Sequence, residues 1–273
     1  MPLSIGIIGL GRMAQAILTP LIEKEDFKVN EVLGVVGQEE TAKRLLEQMP
    51  KGINIFHARD ERSKEIWSAP IKILAVKPQQ LNQIQENKDY INLNNEKPLL
   101  VSVLAGVNLK RLQLTFPNHC CVRAVPNIPV LVAAGLTGLS FGKDVSLNQK
   151  SSVEAIFNPI SEVIELPEEQ LDAFLALTSS GPAYVALITE ALSDGAVAAG
   201  LPRSLANELA TKTLAGSATL LEKRGMHPAE LKDMVASPSG TTIAALRHLE
   251  MSGIRSALIE AVVLAAERSR ELS

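Results

Sequence analysis

The chain has 273 residues, enough for two domains or one large one. Lys and Arg number 27 against 30 Asp and Glu, and only 3% of residues are aromatic. A formal charge of -3 with no basic block excludes nucleic acid as the main partner, and the shortage of rings excludes a base-stacking platform. Cys120 and Cys121 are adjacent, so they form no disulfide framework and fit a reducing, cytoplasmic setting. The four histidines are scattered without ligand-spaced partners, so no metal site is expected.

The opening MPLSIGIIGLG is apolar but lacks a basic flank and a cleavage site, and reads as a buried first strand. No apolar run is seen to approach the roughly 18–20 residues that span a bilayer, so no membrane association is expected. In chain order, strands are predicted at Ser4–Gly9, Glu31–Val36, Ile71–Val76, Leu99–Leu104, Cys120–Val125 and Thr137–Phe141, with Val163–Leu166 closing the series. Helical periodicity separates several of them, at Arg12–Lys24 and Glu39–Gln48. This alternation predicts a mostly parallel sheet covered on both faces.

After Pro167 the pattern becomes helical: Asp172–Leu177, Pro182–Ala199, Arg203–Lys223, Pro228–Val235, Thr242–Glu250 and Ile254–Glu271. Pro182, Pro202 and Pro228 fit first turns, and Gly200, Gly225 and Gly253 fit helix ends. The expected division is therefore 1–166 and 167–273. Pro182–Ala199 is rich in Ala and Gly, and ALIEAVVLAA near the C-terminus is apolar around most of its circumference. About a hundred residues can hardly bury such helices alone, so a homodimer through them is expected.

Gly9-Leu10-Gly11-Arg12-Met13-Ala14 is a G-x-G-x-x-A motif after a strand and opening a helix. Gly9 permits the tight turn, Gly11 lets a pyrophosphate approach the backbone, and Ala14 lets helix and strand pack closely. The motif points to a nicotinamide dinucleotide. At the tip of the second strand, Gly37-Gln38 stands where an acid would select NAD, with Glu39 just beyond. Lys43, Arg44 or Arg62 could reach a 2′-phosphate, or each could be a solvated surface base. NADPH is preferred on this reading, with NADH as the alternative.

The second chemical signal is HPAELKDMVASPSGTTIAAL, His227 to Leu246: helix, compact loop, helix. Backbone N–H groups at such a helix start favour a carboxylate or phosphate. Ala75-Val76-Lys77-Pro78 and Arg123-Ala124-Val125-Pro126-Asn127 end strands where doubly wound sheets bind ligands. Lys77 is either near the cofactor or merely exposed, and Asn127 either positions a ligand or forms a turn between prolines. Ser180, before Pro182, is read as a helix N-cap with a substrate role as the alternative; Asp194 is read as structural.

GLGRMAQAI, AVKPQ, SVLAGV, RAVPNIP, SSGPAYV, EALSDGAVAAGLPRSLA and the His227–Leu246 stretch occur in one order along the chain. In that order they resemble the pyrroline-5-carboxylate reductase family over nearly the whole length. The resemblance implies an α/β fold, with an N-terminal Rossmann-type doubly wound sheet and a C-terminal all-helical dimerisation domain, the site lying in a cleft between them. It implies reduction of a cyclic imine carboxylate to L-proline by NADPH or NADH. By resemblance Gly240, Thr241 and Thr242 hold the substrate carboxylate, Thr242 contacts the ring nitrogen, and Ser180 lies near. The threonines could alternatively only cap the helix. Gly9, Gly11, Arg12, Met13, Ala14, Gln38, Ala75, Val76, Lys77, Pro78, Ala105 and Asn127 form the cofactor set, and a pentamer of dimers is the larger assembly implied.

Three residues depart from the family pattern: Ser239 for the first Gly of a pair, Ser179 for a Gly, and Ile128 for a Thr. Ser239 matters most, because a Cβ resists positive φ. Two other readings compete. A β-hydroxyacid dehydrogenase or other imine reductase would share the architecture, but the former needs a Lys that Pro182–Ala199 lacks. A binding protein without turnover, such as a redox sensor or pyridoxal phosphate carrier, is the non-enzymatic reading.

Overall fold

The computed structural model describes residues 3–23, 29–49, 53–87 and 97–272. Lys24, the last residue predicted for the first helix, lies outside them. The chain forms two compact units, Met1–Ser179 with Ala266–Ser273, and Ser180–Ala265.

Among the described residues, the first unit is built on eight strands. They are β1 (Leu3–Ile8), β2 (Val29–Val36), β3 (Ile53–His57), β4 (Ile71–Leu74), β5 (Leu99–Ser102), β6 (Cys120–Pro126), β7 (Gly135–Phe141) and β8 (Ser161–Glu165). The order is β3-β2-β1-β4-β5-β6-β7-β8, and every neighbouring pair is parallel except β6 and β7. Helices α1 (Arg12–Glu23), α2 (Glu39–Gln48), α3 (Leu109–Thr115), α4 (Leu147–Phe157) and α5 (Leu171–Thr178) belong to this unit. Two apolar clusters form its core. One gathers Ile5, Ile7, Ile17, Leu21, Ile73, Val101 and Val122; the other gathers Ile8, Trp67, Leu74, Leu100, Leu112 and Phe116. Alternate residues of β1, β4 and β5 enter different clusters, as strands buried on both faces require.

Three elements were not foreseen. β3 is short and its Asn54 is exposed, so no continuous apolar run announces it. α3 and α4 are set by caps: Asn108 accepts from the Arg111 N–H at 2.9 Å, and Ser146 with Gln149 forms a reciprocal box. The α5 helix and the last turns of the C-terminal helix join the first unit, whereas the sequence placed the boundary at 166/167. Side chains explain it. A Cβ at Gly138 of β7 would sit 2.9 Å from the Phe174 ring, so α5 rests directly on the sheet. Ser269 donates to Asp172 at 2.7 Å, and buried Arg123 reaches Asp172 at 3.3 Å and Glu168 at 3.5 Å.

The second unit holds α6 (Gly181–Ala198), α7 (Arg203–Arg224), α8 (Pro228–Val235), α9 (Thr241–Met251) and the greater part of α10 (Ile254–Glu271). Its buried residues are only Ser193, Ala206 and Ala210. Large apolar side chains face outward instead, including Leu187 at 66%, Ile259 at 56% and Leu264 at 59%. The stretch Glu168–Ala198 reaches a mean hydropathy of 1.4 over 18 residues with 22% of them buried, and by length and composition alone is apolar enough to cross a membrane. That corrects the expectation that no run approaches this limit. Ser179-Ser180-Gly181-Pro182 interrupts the stretch, so its apolar character does not show as an unbroken run.

Candidate functional site

Strands β1, β2, β4, β5 and β6 are mutually parallel, so their C-terminal ends share one edge of the sheet. β1 sits where chain order reverses, with β2 on one side and β4 on the other. Such a switch point opens the crevice in which doubly wound sheets take ligands. The G-x-G-x-x-A turn is placed there. Gly9 has φ +92, and a Cβ on it would lie 2.8 Å from the Ala75 carbonyl and the Val76 nitrogen. Its N–H donates to Val35 at 2.9 Å, and Ala75 N–H donates to Ile8 at 2.8 Å, so three strand ends grip the turn.

Gly11 differs from Gly9. A Cβ on it would meet nothing closer than 3.9 Å, so the absent side chain leaves open space rather than relieving a clash. α1 starts at Arg12, and the N–H groups of its first turn have no acceptor four residues back. Ala14 is buried against the sheet, Met13 is half-buried and Arg12 is exposed. The turn therefore leaves the backbone donors of the α1 start open beside the space over Gly11.

The other cofactor candidates come to the same edge. Ala75 and Val76 are half-buried beyond β4, and Lys77 is exposed with no ion pair among the described residues. Ala105 is exposed beyond β5, next to Gly106, whose φ of +68 and close approach to the Leu272 backbone exclude a side chain. Gln38 caps α2 by position, with extended backbone and no side-chain cap bond. Asn127 is 5% exposed, and both ends of its amide are engaged: Oδ1 accepts from Leu136 N–H at 2.8 Å, and Nδ2 donates to the Thr178 carbonyl at 3.0 Å. Sequence reasoning could not distinguish this clamp from a ligand contact, because both partners are distant in sequence.

The basic residues near the β2 tip sort themselves by partner. Lys43 lies 2.8 Å from Glu39 and holds that carboxyl below its usual range. Arg62 is committed to Asp60 through two nitrogens, at 3.2 and 2.8 Å, and stacks 4.8 Å over Phe56. Arg59, which the sequence reading passed over, lines a cleft of about 470 Å³ with Gly37, Gln38, Glu39, Glu40 and His57.

In the second unit, His227 caps α8, with Nδ1 accepting from Ala229 N–H at 3.2 Å. The following loop closes in a turn in which Gly240 N–H donates to Ser237 O at 3.0 Å, with Pro238 and Ser239 between them. Ser239 has φ +56, the strained conformation its Cβ disfavours. A Cβ on Gly240 would fall 2.3 Å from Ser237 Oγ and 3.1 Å from the Ser237 carbonyl oxygen, so a side chain here would displace the serine hydroxyl and crowd the turn. Gly240 is the N-cap of α9, with no side chain to cap it, and Thr241 and Thr242 are its first helical residues. Neither threonine hydroxyl has a hydrogen-bond partner among the described residues. The capping alternative for them is thus not realised, and the N-terminal N–H groups of α9 stay open.

Ser180 precedes α6 in helical backbone conformation and makes no side-chain cap bond; the cap expected of it is absent because that conformation does not turn its hydroxyl onto the helix start. Asp194 pairs with Arg203 at 2.5 Å and links α6 to the start of α7. No group of three or more metal-ligating side chains occurs among the described residues.

Residues 168–272 match the model for pyrroline-5-carboxylate reductase dimerisation, and residues 4–106 that for the NADP oxidoreductase, coenzyme F420-dependent family. The pyrroline-5-carboxylate reductase of Synechocystis sp. is 42% identical over 272 residues, covering 100% of this chain and 99% of that one. This chain belongs to the pyrroline-5-carboxylate reductase family. The Arabidopsis thaliana reductase is 38% identical, covering 98% of this chain and 95% of its own. The crystal structure of 1-pyrroline-5-carboxylate reductase from Streptococcus pyogenes superposes with a TM-score of 0.85 at 28% identity, covering 99% of both chains. That of Plasmodium falciparum pyrroline carboxylate reductase with NADP bound gives 0.84 at 27%, covering 99% and 98%. As a pyrroline-5-carboxylate reductase, the protein is an oxidoreductase of a carbon–nitrogen bond serving proline biosynthesis. The dimerisation match covers the helices whose leucines and isoleucines lie uncovered in a single chain, and homo-oligomerisation through them supplies the missing burial.

Proposed function

We propose that the chain reduces 1-pyrroline-5-carboxylate to L-proline, with NADPH as preferred donor and NADH as alternative. The observation that carries this reading is the Ser237–Gly240 turn. It keeps a serine at φ +56 and a glycine packed against the Ser237 hydroxyl, directly before a helix start with open donors and two free hydroxyls. Strain of that kind persists where function requires it.

Gly240, Thr241 and Thr242 hold the substrate carboxylate, chiefly through backbone N–H groups aided by the α9 dipole. The Thr242 hydroxyl contacts the ring nitrogen. A threonine is too weak an acid to protonate it, so the iminium takes its proton from solvent before reduction. Ser180 is a secondary substrate contact.

In the first unit, the cradle left clear by Gly11 fits a pyrophosphate. Gly9 shapes it, while the N–H groups of Arg12, Met13 and Ala14 face the anion. Gln38 lies at the adenosine ribose, and Ala75, Val76, Lys77, Pro78 and Ala105 flank the bound dinucleotide along the sheet edge. Asn127 acts by fixing the end of β6, since its side chain, its N–H and its carbonyl are all engaged within the protein. A reduced nicotinamide supplies hydride to the imine carbon; with the nitrogen already protonated, that addition completes L-proline.

We assign cofactor binding to 1–166, and dimerisation and substrate binding to 167–273, in a cytoplasmic homodimer that can build a pentamer of dimers. The test is loss of reduced-nicotinamide absorbance with 1-pyrroline-5-carboxylate, using NADPH and NADH in parallel. Formation of proline with faster loss of NADPH is the expected result. Cofactor binding without turnover would move the reading to other cyclic imines and then to a binding protein.

A further inference from the structure

We infer that Arg59, with His57 beside it, reads the 2′-phosphate of the cofactor and sets the preference for NADPH. The inference rests on the reading that a nicotinamide dinucleotide lies along the Gly9–Ala14 turn. In this fold the adenosine ribose then falls at the tip of the second strand. At that tip the cleft of about 470 Å³ is walled by β2 and α2 on one side and by the exit of β3 on the other.

The register delivers Arg59 there. Val36 pairs with His57, and Ala58 N–H donates to the Val36 carbonyl at 2.8 Å, so β3 ends level with β2 and Arg59 follows at once. Arg59 N–H donates to His57 Nδ1 at 3.2 Å. With Nδ1 accepting, the neutral ring carries its proton on Nε2 and keeps a donor for a ligand.

Position and charge together single Arg59 out: Arg44, likewise without an ion pair among the described residues, does not line the cleft. Lys43 is bound to Glu39 and Arg62 to Asp60, whereas the Arg59 guanidinium forms no ion pair among the described residues. The position that would select against a 2′-phosphate holds the neutral amide of Gln38. Two carboxylates also line the cleft. Glu39 is answered by Lys43, which leaves Glu40 as the opposing charge and makes the discrimination moderate. A guanidinium–phosphate contact supports a preference of about 10- to 100-fold.

The experiment uses the full chain and its Arg59→Ala and Arg59→Lys variants. First, kcat/KM is measured for NADPH and NADH at saturating imine. In Arg59→Ala the NADPH/NADH ratio falls about 10- to 100-fold, through KM for NADPH, and Arg59→Lys recovers part of it. Second, calorimetry compares 2′,5′-ADP with 5′-AMP, which needs no turnover. Arg59→Ala weakens 2′,5′-ADP by a similar factor and leaves the difference from 5′-AMP small. An unchanged ratio, or an equal loss for both nucleotides, overturns the assignment to Arg59 while leaving the reductase reading intact. Failure of the unsubstituted protein to bind either nucleotide overturns both.

Discussion

Replacing Asn127 by Ala removes a side chain that is 5% exposed and whose amide satisfies two backbone groups at once. Leu136 N–H loses its acceptor at 2.8 Å and the Thr178 carbonyl its donor at 3.0 Å, so the start of β7 and the end of α5 each lose one tie to the end of β6. An orphaned buried group costs roughly 1–3 kcal/mol. Leu136 is half-buried and recovers part of its share from water, giving a total of about 2–4 kcal/mol. Domains are stable by about 5–15 kcal/mol, so the variant stays folded but is visibly weakened. Urea unfolding should show a lower midpoint at unchanged slope, and hydrogen exchange should show lost protection of the Leu136 amide. Asn127→Asp should be at least as costly, because a carboxylate keeps the Leu136 acceptor but turns an anion toward the Thr178 carbonyl. A midpoint change equivalent to less than about 0.5 kcal/mol, with cofactor affinity lost instead, would refute the clamp and restore Asn127 as a side-chain ligand.

Thr242→Ala should lower turnover by about tenfold, the worth of one hydrogen bond, with cofactor affinity by fluorescence titration within twofold; intact turnover would remove the nitrogen contact. Ser239→Gly relieves roughly 1 kcal/mol of left-handed strain but adds about 0.4–1 kcal/mol of unfolded-chain entropy. Thermal unfolding should therefore hardly move, and a large shift either way would contradict the φ of +56. Lys72 is fully buried in β4, and desolvation pushes its ammonium down to about 8 from the usual 10.5, with Glu86 opposing. Between these values the unfolded chain binds more protons than the folded one, so stability rises with pH across about 8 to 10.5. Lys72→Met should accordingly stabilise the protein at pH 7, by a margin that shrinks toward pH 10. A margin independent of pH would contradict the buried charge.

Much of the architecture is written locally. Glu39–Gln48, Pro228–Val235 and Ile254–Glu271 begin and end where periodicity and flanking residues place them. The turn at Gly9–Gly11 is legible because a strand, two glycines and a helix start are contiguous. Ser239 could be singled out from one departure in a loop, and its positive φ follows from the Pro-Ser pair that a Ser237–Gly240 turn must accommodate.

What the sequence left open depends on partners far along the chain. The antiparallel setting of β7 against β6 is a pairing choice that alternation within either strand does not encode. α5 looked like part of the helical half because its own pattern is helical, yet Phe174 and Leu171 find their cover over Gly138. Asn127 looked like a turn residue or a ligand contact, and contacts 9 and 51 residues away made it a clamp. The order of β2 and β3 brings Arg59 to the cleft beside Gln38, while short-range pairs with Glu39 and Asp60 occupy Lys43 and Arg62. Backbone preference and apolar period act over a turn or a strand, so the sequence by itself determined the elements and the glycine-dependent turns. Burial, charge pairing and strand order are properties of the packed chain, and only the tertiary structure decided which side chains remain free to meet a ligand.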